Sequence, residues 1–169
     1  KLVELKYWLG EQPRERRHAL LSQAIVPKGD SLDFLIFDCA PGWDLLSVNI
    51  LMAAHEVLCP VSLQAPALEG LKTFFQYLVS AQKQNNQLAL KYVVPTLFDR
   101  RTRQSIDLYR KLKRLFTRQI CDPIRYNVRL SEAPADGKTI FEFDPRATGA
   151  EDYRKLSRRL IDDGIRAQQ

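Results

Sequence analysis

The stretch Phe34-Leu35-Ile36-Phe37-Asp38-Cys39-Ala40-Pro41-Gly42 sets the fold class of this sequence. Four consecutive apolar residues predict a short strand buried on both faces, as in a parallel sheet. The run ends at Asp38, so this carboxylate would lie at the carboxyl edge of the sheet, where open α/β folds bind their ligands. A carboxylate there suits a Mg²⁺ ion held through water beside a phosphate group. The alternative is an aspartate that only ends the strand and caps the next turn.

Strands and helices alternate along the chain around this stretch. Asp44 is placed to cap the helix that follows it. The predicted helices are 1–9, 14–25, 45–54, 67–82, 102–116 and 150–165, and the further predicted strands are 57–61, 88–97 and 139–143. Such alternation is typical of an α/β fold with an open, mostly parallel sheet flanked by helices and connected by right-handed crossovers. The length of 169 residues fits a single domain over residues 1–169.

The sequence carries more basic than acidic residues, and the excess is local. Lysine and arginine number 26 against 20 aspartates and glutamates, for a net charge of +6. Residues 97–130 alone hold ten basic and three acidic residues, which accounts for the whole excess. Clustered cations make phosphate contacts that do not depend on base sequence, so this window predicts binding to double-stranded DNA. A charged helix face that is merely solvated is the alternative.

The residue types present argue against several kinds of site. Cys39, Cys59 and Cys121 are widely spaced and the chain has two histidines, which argues against a disulfide framework or a zinc site. We expect these thiols to be reduced and partly buried. Gly137-Lys138-Thr139 ends like a phosphate-binding loop, but Glu132 stands where that pattern requires glycine. No apolar run approaches about 18 residues and the N-terminus has no signal-peptide h-region, so cytoplasm is the expected compartment.

Six short segments together resemble one protein family. They are FLIFDCAP at 34–41, AAHEVLCPV at 53–61, ALEGL at 67–71, PTLFDRR at 95–101, NVRLSEAP at 127–134 and FDPRATGAEDY at 143–153. Their order and spacing resemble the ParA/Soj branch of the ParA/MinD deviant-Walker ATPases, and the last two segments are the most specific. The only methionine is Met52, so the sequence has no initiator methionine at its first position. The chain is therefore expected to be the C-terminal part of a ParA-like ATPase domain, with a P-loop NTPase-like fold that is incomplete at its N-terminus.

The resemblance implies a function as well as a fold. It implies a homodimer that depends on ATP and Mg²⁺, binds DNA without sequence preference and associates with the nucleoid. A ParB-like or other partner would stimulate ATP hydrolysis, and the activity would segregate chromosomes or plasmids or position another large cargo. A membrane-positioning role of the MinD kind is disfavoured, because residues 153–169 offer few large apolar side chains for an interfacial anchor.

The resemblance also assigns roles to individual residues. Asp38 matches the Walker B aspartate, which holds Mg²⁺ through water, and Pro41 matches the proline that follows it in the nucleotide site. Asn127 and Val128 match the loop that lies against the adenine base. The residues that match or extend the DNA-binding face are Arg101, Arg129, Arg100, Arg103 and Lys111.

The sequence departs from the family pattern in three places. Arg125-Tyr126 stands where the family has a proline–arginine pair before the asparagine, and Ser62 and Gln64 replace a glutamine and a glutamate. The Walker A loop with its two lysines is not in the sequence. The chain by itself is therefore expected not to hydrolyse ATP, because nothing stabilises the charge on the γ-phosphate. A DNA-binding module that works without nucleotide is the alternative function.

Overall fold

A computed structural model describes residues 2–13, 17–25, 32–39, 43–64 and 67–167. The helices are α1 Leu2–Glu11, α2 Leu20–Ala24, α3 Leu45–Ala53, α4 Ala67–Gln82, α5 Arg103–Leu115, α6 Val128–Glu132, α7 Ile140–Phe143 and α8 Thr148–Ala167, with a 3-10 turn at Ala133–Asp136; the strands are β1 Glu56–Ser62 and β2 Ala89–Thr96. The chain divides into two compact units. The first comprises Lys1–Val57 and Thr73–Ala89, and the second comprises Leu58–Lys72 and Leu90–Gln169.

The two strands pair in parallel, and α4 connects them. The amide of Ala89 donates to the carbonyl of His55 at 2.8 Å, and the amide of Leu63 donates to the carbonyl of Thr96 at 2.9 Å. Residue numbers rise together along both strands, which only a parallel pair allows. Four successive residues of β2 are buried, as expected for a strand covered on both faces. The strands predicted at 57–61 and 88–97 are confirmed.

An extended segment at residues 119–126 lies beside β2 and widens the sheet. Parallel bridges join Val93 to Ile120 and Phe98 to Arg125. Between the bridges, neither Pro95 nor Pro123 has an N–H to donate. That stretch keeps the bond from the Ile124 amide to the Pro95 carbonyl, at 2.8 Å. The prolines explain why the sequence pattern indicated an irregular segment here.

Two asparagines, Asn49 and Asn85, hold loops and helices of the first unit together. Asn49 is fully buried on α3, and its amide donates to the carbonyls of Arg17 at 2.7 Å and Leu45 at 2.9 Å. Asn85 donates to the carbonyl of Ala54 at 2.8 Å, just after α3 ends. The Asn49 amide thus ties the segment before α2 to α3, and the Asn85 amide satisfies the carbonyl of the α3 C-cap residue. Asp44 caps α3 by accepting from the Ser47 amide, as predicted.

Helix α8 packs over the sheet in the second unit. The buried cluster there consists of Tyr92, Val94, Cys121 and Ile124, and Leu130, Leu156 and Leu160 pack against it. A second cluster of Ile140, Ala147 and Ala150 also contacts Leu130. Leu130 therefore joins α6 to both clusters. Within the described ranges, no helix combines the length and hydropathy that a membrane span requires.

The strand predicted at 34–37 is wrong. Residues 34–39 form neither helix nor strand, and Ile36 is 84% exposed. A central parallel strand needs neighbouring strands to pair its amides and carbonyls. Among the described residues, no such backbone bond reaches Phe34–Phe37. The apolar pattern is typical of a buried strand, but a pattern alone does not supply the neighbouring strand that pairing requires.

Two other local predictions also need correction. Residues predicted as a strand at 139–143 form α7, because the Thr139 hydroxyl caps the Glu142 amide while the Glu142 carboxylate accepts from the Thr139 amide. This capping box is visible in the sequence as T-I-F-E. The helix predicted at 14–25 spans only Leu20–Ala24 in the described residues.

The three cysteines lie in different environments. Cys59 and Cys121 are buried, and burial raises the pKa of the Cys59 thiol to about 11. Cys39 is exposed, so the expectation of partial burial does not hold for it. All three are free thiols, as predicted.

Gly149 gives a test of the packing between α6 and α8. A Cβ at this position would lie 2.7 Å from Cγ of Leu130 and 2.8 Å from its Cδ1. Gly149→Ala is therefore expected to lower the free energy of unfolding by about 1–3 kcal/mol, as overpacking does. Chemical denaturation measures this change. Gly70→Ala, on α4 with open space around it, is the matched control and should be neutral or stabilising by up to about 1 kcal/mol. Equal effects of the two substitutions would contradict the close packing at Gly149.

Candidate nucleotide and DNA interface

The candidate site lies where β2 and the extended segment end, at the carboxyl edge of the second unit's sheet. The amide of Phe98 donates to the carbonyl of Ile124 at 3.0 Å, and the amide of Tyr126 donates to the carbonyl of Phe98 at 2.9 Å. These bonds place the loop after β2 beside the loop before α6. Ligands of open α/β sheets bind at such an edge.

Leu97 gives the loop after β2 its direction. Its φ of 55° puts it in the left-handed region, which a leucine enters at a cost of about 1–2 kcal/mol. In a regular strand, the backbone groups of every second residue bond to the same neighbouring strand. Val93 and Pro95 bond to the extended segment, so Leu97 would be the next residue to do so. Instead Phe98 makes the bond, one residue later, which is the pattern of a β-bulge. The bulge turns residues 99–101 out into solvent.

A surface cavity of about 380 Å³ opens between the two loops. It is lined by Phe98, Asp99, Arg100, Arg101, Arg125, Tyr126, Val128 and Thr148. Phe98 is 8% exposed, whereas Tyr126 and Val128 are 51% and 54% exposed. The cavity therefore combines a buried aromatic residue, two exposed apolar side chains and several guanidinium groups. This combination suits a flat, uncharged ring that carries a negatively charged substituent.

Asn127 shapes the loop before α6. Its Oδ1 accepts from the amide of Arg129 at 2.9 Å and thereby caps α6, and its Nδ2 donates to Oγ1 of Thr148 at 2.7 Å. Both ends of the side-chain amide are thus used within the protein. These two bonds hold the loop in place and so position the neighbouring residues Tyr126 and Val128. Neither neighbour's side chain takes part in the two bonds.

Arg125 fastens the same loop to α8. Its Nε and Nη2 donate to the Asp152 carboxylate, with the shortest distance 2.7 Å, and its backbone amide donates to Oδ2 at 2.9 Å. The Asp152 side chain is 7% exposed. The hydrogen bonds that Arg125 donates to Asp152, and then to Glu151, raise the pKa of Arg125. This pair, buried on its Asp152 side, anchors the loop to α8. No local pattern predicts it, because Arg125 and Asp152 lie 27 residues apart.

Arg101 and Asp99 form a two-pronged ion pair within one loop. Nε and Nη2 of Arg101 lie 2.9 and 2.7 Å from the carboxylate oxygens of Asp99. These side-chain bonds, and then the bond from the Arg101 backbone amide, lower the pKa of Asp99 to about 2. Arg101 itself is 81% exposed. The predicted DNA-binding arginine is therefore presented to solvent in a fixed orientation but with its charge partly balanced.

The pKa of Asp99 reports this ion pair in solution. The pKa is lowered in the folded state, so the stabilisation is present above about pH 4 and is lost as the pH falls through about 2. In Arg101→Ala we expect the pKa of Asp99 to rise from about 2 toward about 4, and carboxyl-carbon NMR titration measures it. Arg110→Ala, which removes a nearby exposed arginine, should leave it unchanged. An unchanged pKa in Arg101→Ala would mean that the pair does not form.

Arg129, the other arginine matched to the DNA-binding face, is also paired internally. Its Nη1 lies 2.9 Å from Glu132, its Nε lies 3.7 Å from Asp144, and its guanidinium lies 5.9 Å from the centre of the Phe143 ring. The side chain is 56% exposed. Glu132, which stands where a phosphate-binding loop would have glycine, is the partner of this arginine.

Helix α5 presents a basic face to solvent. Ser105 and Leu112 are buried on one side, and the spacing of Arg103, Arg110 and Arg114 places these arginines on the opposite side. Thr102 caps the helix, as its place before the first turn suggests. Within the described part of the chain, Arg100, Arg103 and Lys111 are exposed and have no acidic partner. Arg114 shares this face and was not singled out from the sequence, although its spacing from Arg103 is helical.

The residues predicted to hold Mg²⁺ and phosphate belong to the first unit. Asp38 is exposed directly after the apolar run, and Pro41 lies outside the described residues. The described chain has no group of three or more His, Cys, Asp or Glu side chains that could surround a metal ion. A single exposed carboxylate fits the water-mediated role predicted for Asp38, since Mg²⁺ keeps several of its waters.

Comparisons with known proteins place these features in a family. A family model described as an AAA domain matches residues 1–90. The sporulation initiation inhibitor protein Soj of Bacillus subtilis is 36% identical over 154 residues, which make up 90% of this chain and 61% of that protein. The chain belongs to the ParA/Soj branch of the AAA-domain family. The chromosome-partitioning ATPase Soj of Treponema pallidum is 33% identical, over 89% of this chain and 59% of that protein. This ParA/Soj-family chain thus spans about three fifths of the length of these relatives.

Solved structures show the same fold. The cobyrinic acid a,c-diamide synthase of Mycobacterium smegmatis, with bound ADP and magnesium, is 25% identical, with a TM-score of 0.73 over 92% of this chain and 56% of that one. Apo McdA of Cyanothece has a TM-score of 0.77 at 17% identity, over 94% of this chain and 64% of that one. The ParA/Soj-family chain therefore has the parallel sheet with flanking helices that was predicted.

Proposed function

We propose that this chain works in a ParA-type ATPase that segregates DNA or positions another large cargo. In this proposal the carboxyl edge of the sheet provides a DNA-binding face and a wall of the nucleotide site. The observation that carries it is a set of exposed cations without acidic partners among the described residues: Arg100, which lines the cavity between the two loops, and Arg103 and Lys111 on α5. Such cations are available for phosphate contacts, because no internal ion pair has to break first.

The nucleotide part of the proposal draws on the cavity and on the relatives. Its exposed apolar side chains and guanidinium groups suit the base and sugar-phosphate of ATP. In the second unit, Asn127 and Val128 would contact the base. In the first unit, Asp38 would hold Mg²⁺ through water, and Pro41 keeps the nucleotide-binding role that the family resemblance assigns to it. Bound Mg²⁺ would neutralise phosphate charge during hydrolysis. ATP would favour a homodimer, and a ParB-like partner would stimulate turnover.

Fluorescence anisotropy with two duplexes of unrelated sequence tests the DNA-binding part. We expect equal affinity for both duplexes, and an affinity that falls linearly with salt on logarithmic axes, because phosphate contacts release counterions. Adding Mg-ATP should tighten binding if nucleotide drives dimerisation. Binding that ignores Mg-ATP would favour the nucleotide-independent module. A lack of duplex binding at low salt would overturn the DNA-binding part.

A further inference from the structure

Tyr126 follows Arg125 in the loop before α6. Its side chain lines the cavity and is 51% exposed. Its backbone amide donates to the carbonyl of Phe98 at 2.9 Å, so the start of the side chain is fixed by the sheet. An exposed aromatic ring on a fixed backbone provides contact area at little cost in conformational entropy.

The polar side chains around Tyr126 are largely engaged with one another. Asn127 uses its Oδ1 and Nδ2 in bonds to Arg129 and Thr148. The Asp99 carboxylate is held by Arg101, and the Arg125 guanidinium is held by Asp152 and Glu151. Since these groups already have partners, the surface left for the base of a ligand consists of the Tyr126 ring and the Val128 side chain. The guanidinium of Arg100 remains beside them for a phosphate or for the ring edge.

We propose that Tyr126 stacks on the base of the bound nucleotide, and that Asn127 is a positioning residue that acts by holding Tyr126 and Val128 in place. This inference rests on the proposed nucleotide binding and adds the residue that contacts the base. Stacking suits any base, because every base has a π-face.

Calorimetric titration with ATP, and with tripolyphosphate as a ligand without a base, tests the assignment. Tyr126→Ala should weaken ATP binding by about 5- to 100-fold, as loss of one stacked aromatic does, and leave tripolyphosphate binding unchanged. Tyr126→Phe should bind ATP like the wild type. Tyr153→Ala, which removes an exposed tyrosine from α8, is the matched control and should have no effect. Asn127→Ala should also weaken ATP binding, and Asn127→Asp, which retains the capping oxygen, should recover part of it.

Each unfavourable outcome has a distinct meaning. If the wild type binds ATP and Tyr126→Ala binds it equally well, the stacking assignment is overturned and the proposed function stands. If Tyr126→Ala loses affinity for duplex DNA but not for ATP, the ring serves the DNA-binding face and the assignment is likewise overturned. If the wild type binds no ATP, the nucleotide part of the proposed function fails first. Unfolding curves of the variants separate these results from a loss of fold.

Discussion

Replacing Arg100, Arg103 and Lys111 together by alanine is expected to weaken duplex DNA binding at least about tenfold at about 100 mM salt. All three side chains are exposed and, within the described residues, have no acidic partner. Each phosphate contact contributes about 0.9 to the slope of log affinity against log salt. Loss of three contacts should therefore reduce that slope by about three. Anisotropy titrations over a salt series measure both quantities.

The matched control removes the same charge elsewhere in the second unit. Lys138, Arg146 and Arg158 are exposed and lie outside the basic window. Their triple alanine variant has the same net charge as the test variant, so general electrostatic attraction falls equally in both. We expect the control to keep most of the affinity and of the salt slope. Equal losses in both variants would mean that binding depends on overall charge and that the proposed face has no special part in it.

Asp152→Ala is expected to destabilise the protein by about 3 kcal/mol. The Asp152 carboxylate is buried and accepts from the backbone amide, Nε and Nη2 of Arg125. Removing one member of a buried ion pair leaves the other charge without its partner, which typically costs about 3–5 kcal/mol. Partial exposure of Arg125, at 30%, places the expected loss at the low end. Urea denaturation with an unchanged m-value measures it.

Glu151→Ala tests the exposed ion pair between Arg125 and Glu151 separately from the buried one between Arg125 and Asp152. Glu151 contacts the same guanidinium at 2.9 Å, but its side chain is 52% exposed. Its loss should therefore cost much less than the loss of Asp152, because solvent screens an exposed ion pair. Arg125→Leu combined with Asp152→Leu should be less destabilising than the sum of the single changes, because neither charge is then left alone. Similar losses for Asp152→Ala and Glu151→Ala would contradict the anchoring role of the buried carboxylate.

Elements whose signals are local were predicted well from the sequence. Helix α4 has the predicted bounds, α3 and α5 agree to within one residue at each end, and both strands of the sheet were found. Asp44 and Thr102 cap the helices that follow them. Hydrophobic spacing and capping chemistry act over a few residues, so a single sequence contains them.

Features that depend on distant partners could not be predicted in the same way. Residues 34–37 have the composition of a buried strand, yet a strand forms only where another strand pairs with it. The pairing of Arg125 with Asp152 needs the chain to bring α8 to the sheet, and no pattern in either segment announces it. At the site, the basic window indicated which stretch carries the cations. It did not indicate that Arg101 and Arg129 are paired internally while Arg100, Arg103 and Lys111 are not.

Pro95 and Pro123 divide the hydrogen-bond ladder that carries the site. On one side of the gap, the Val93 carbonyl accepts from Cys121 of the buried cluster; on the other, the bonds at Phe98 and Tyr126 hold the two loops together. Because the two prolines remove donors between these bonds, we expect the loops to open locally at a lower free energy than global unfolding requires. Local opening and global unfolding then have separate free energies. A ligand that bridges the two loops would raise the free energy of local opening and leave that of global unfolding almost unchanged. Binding would then alter the order of the loops without a large change in the stability of the fold.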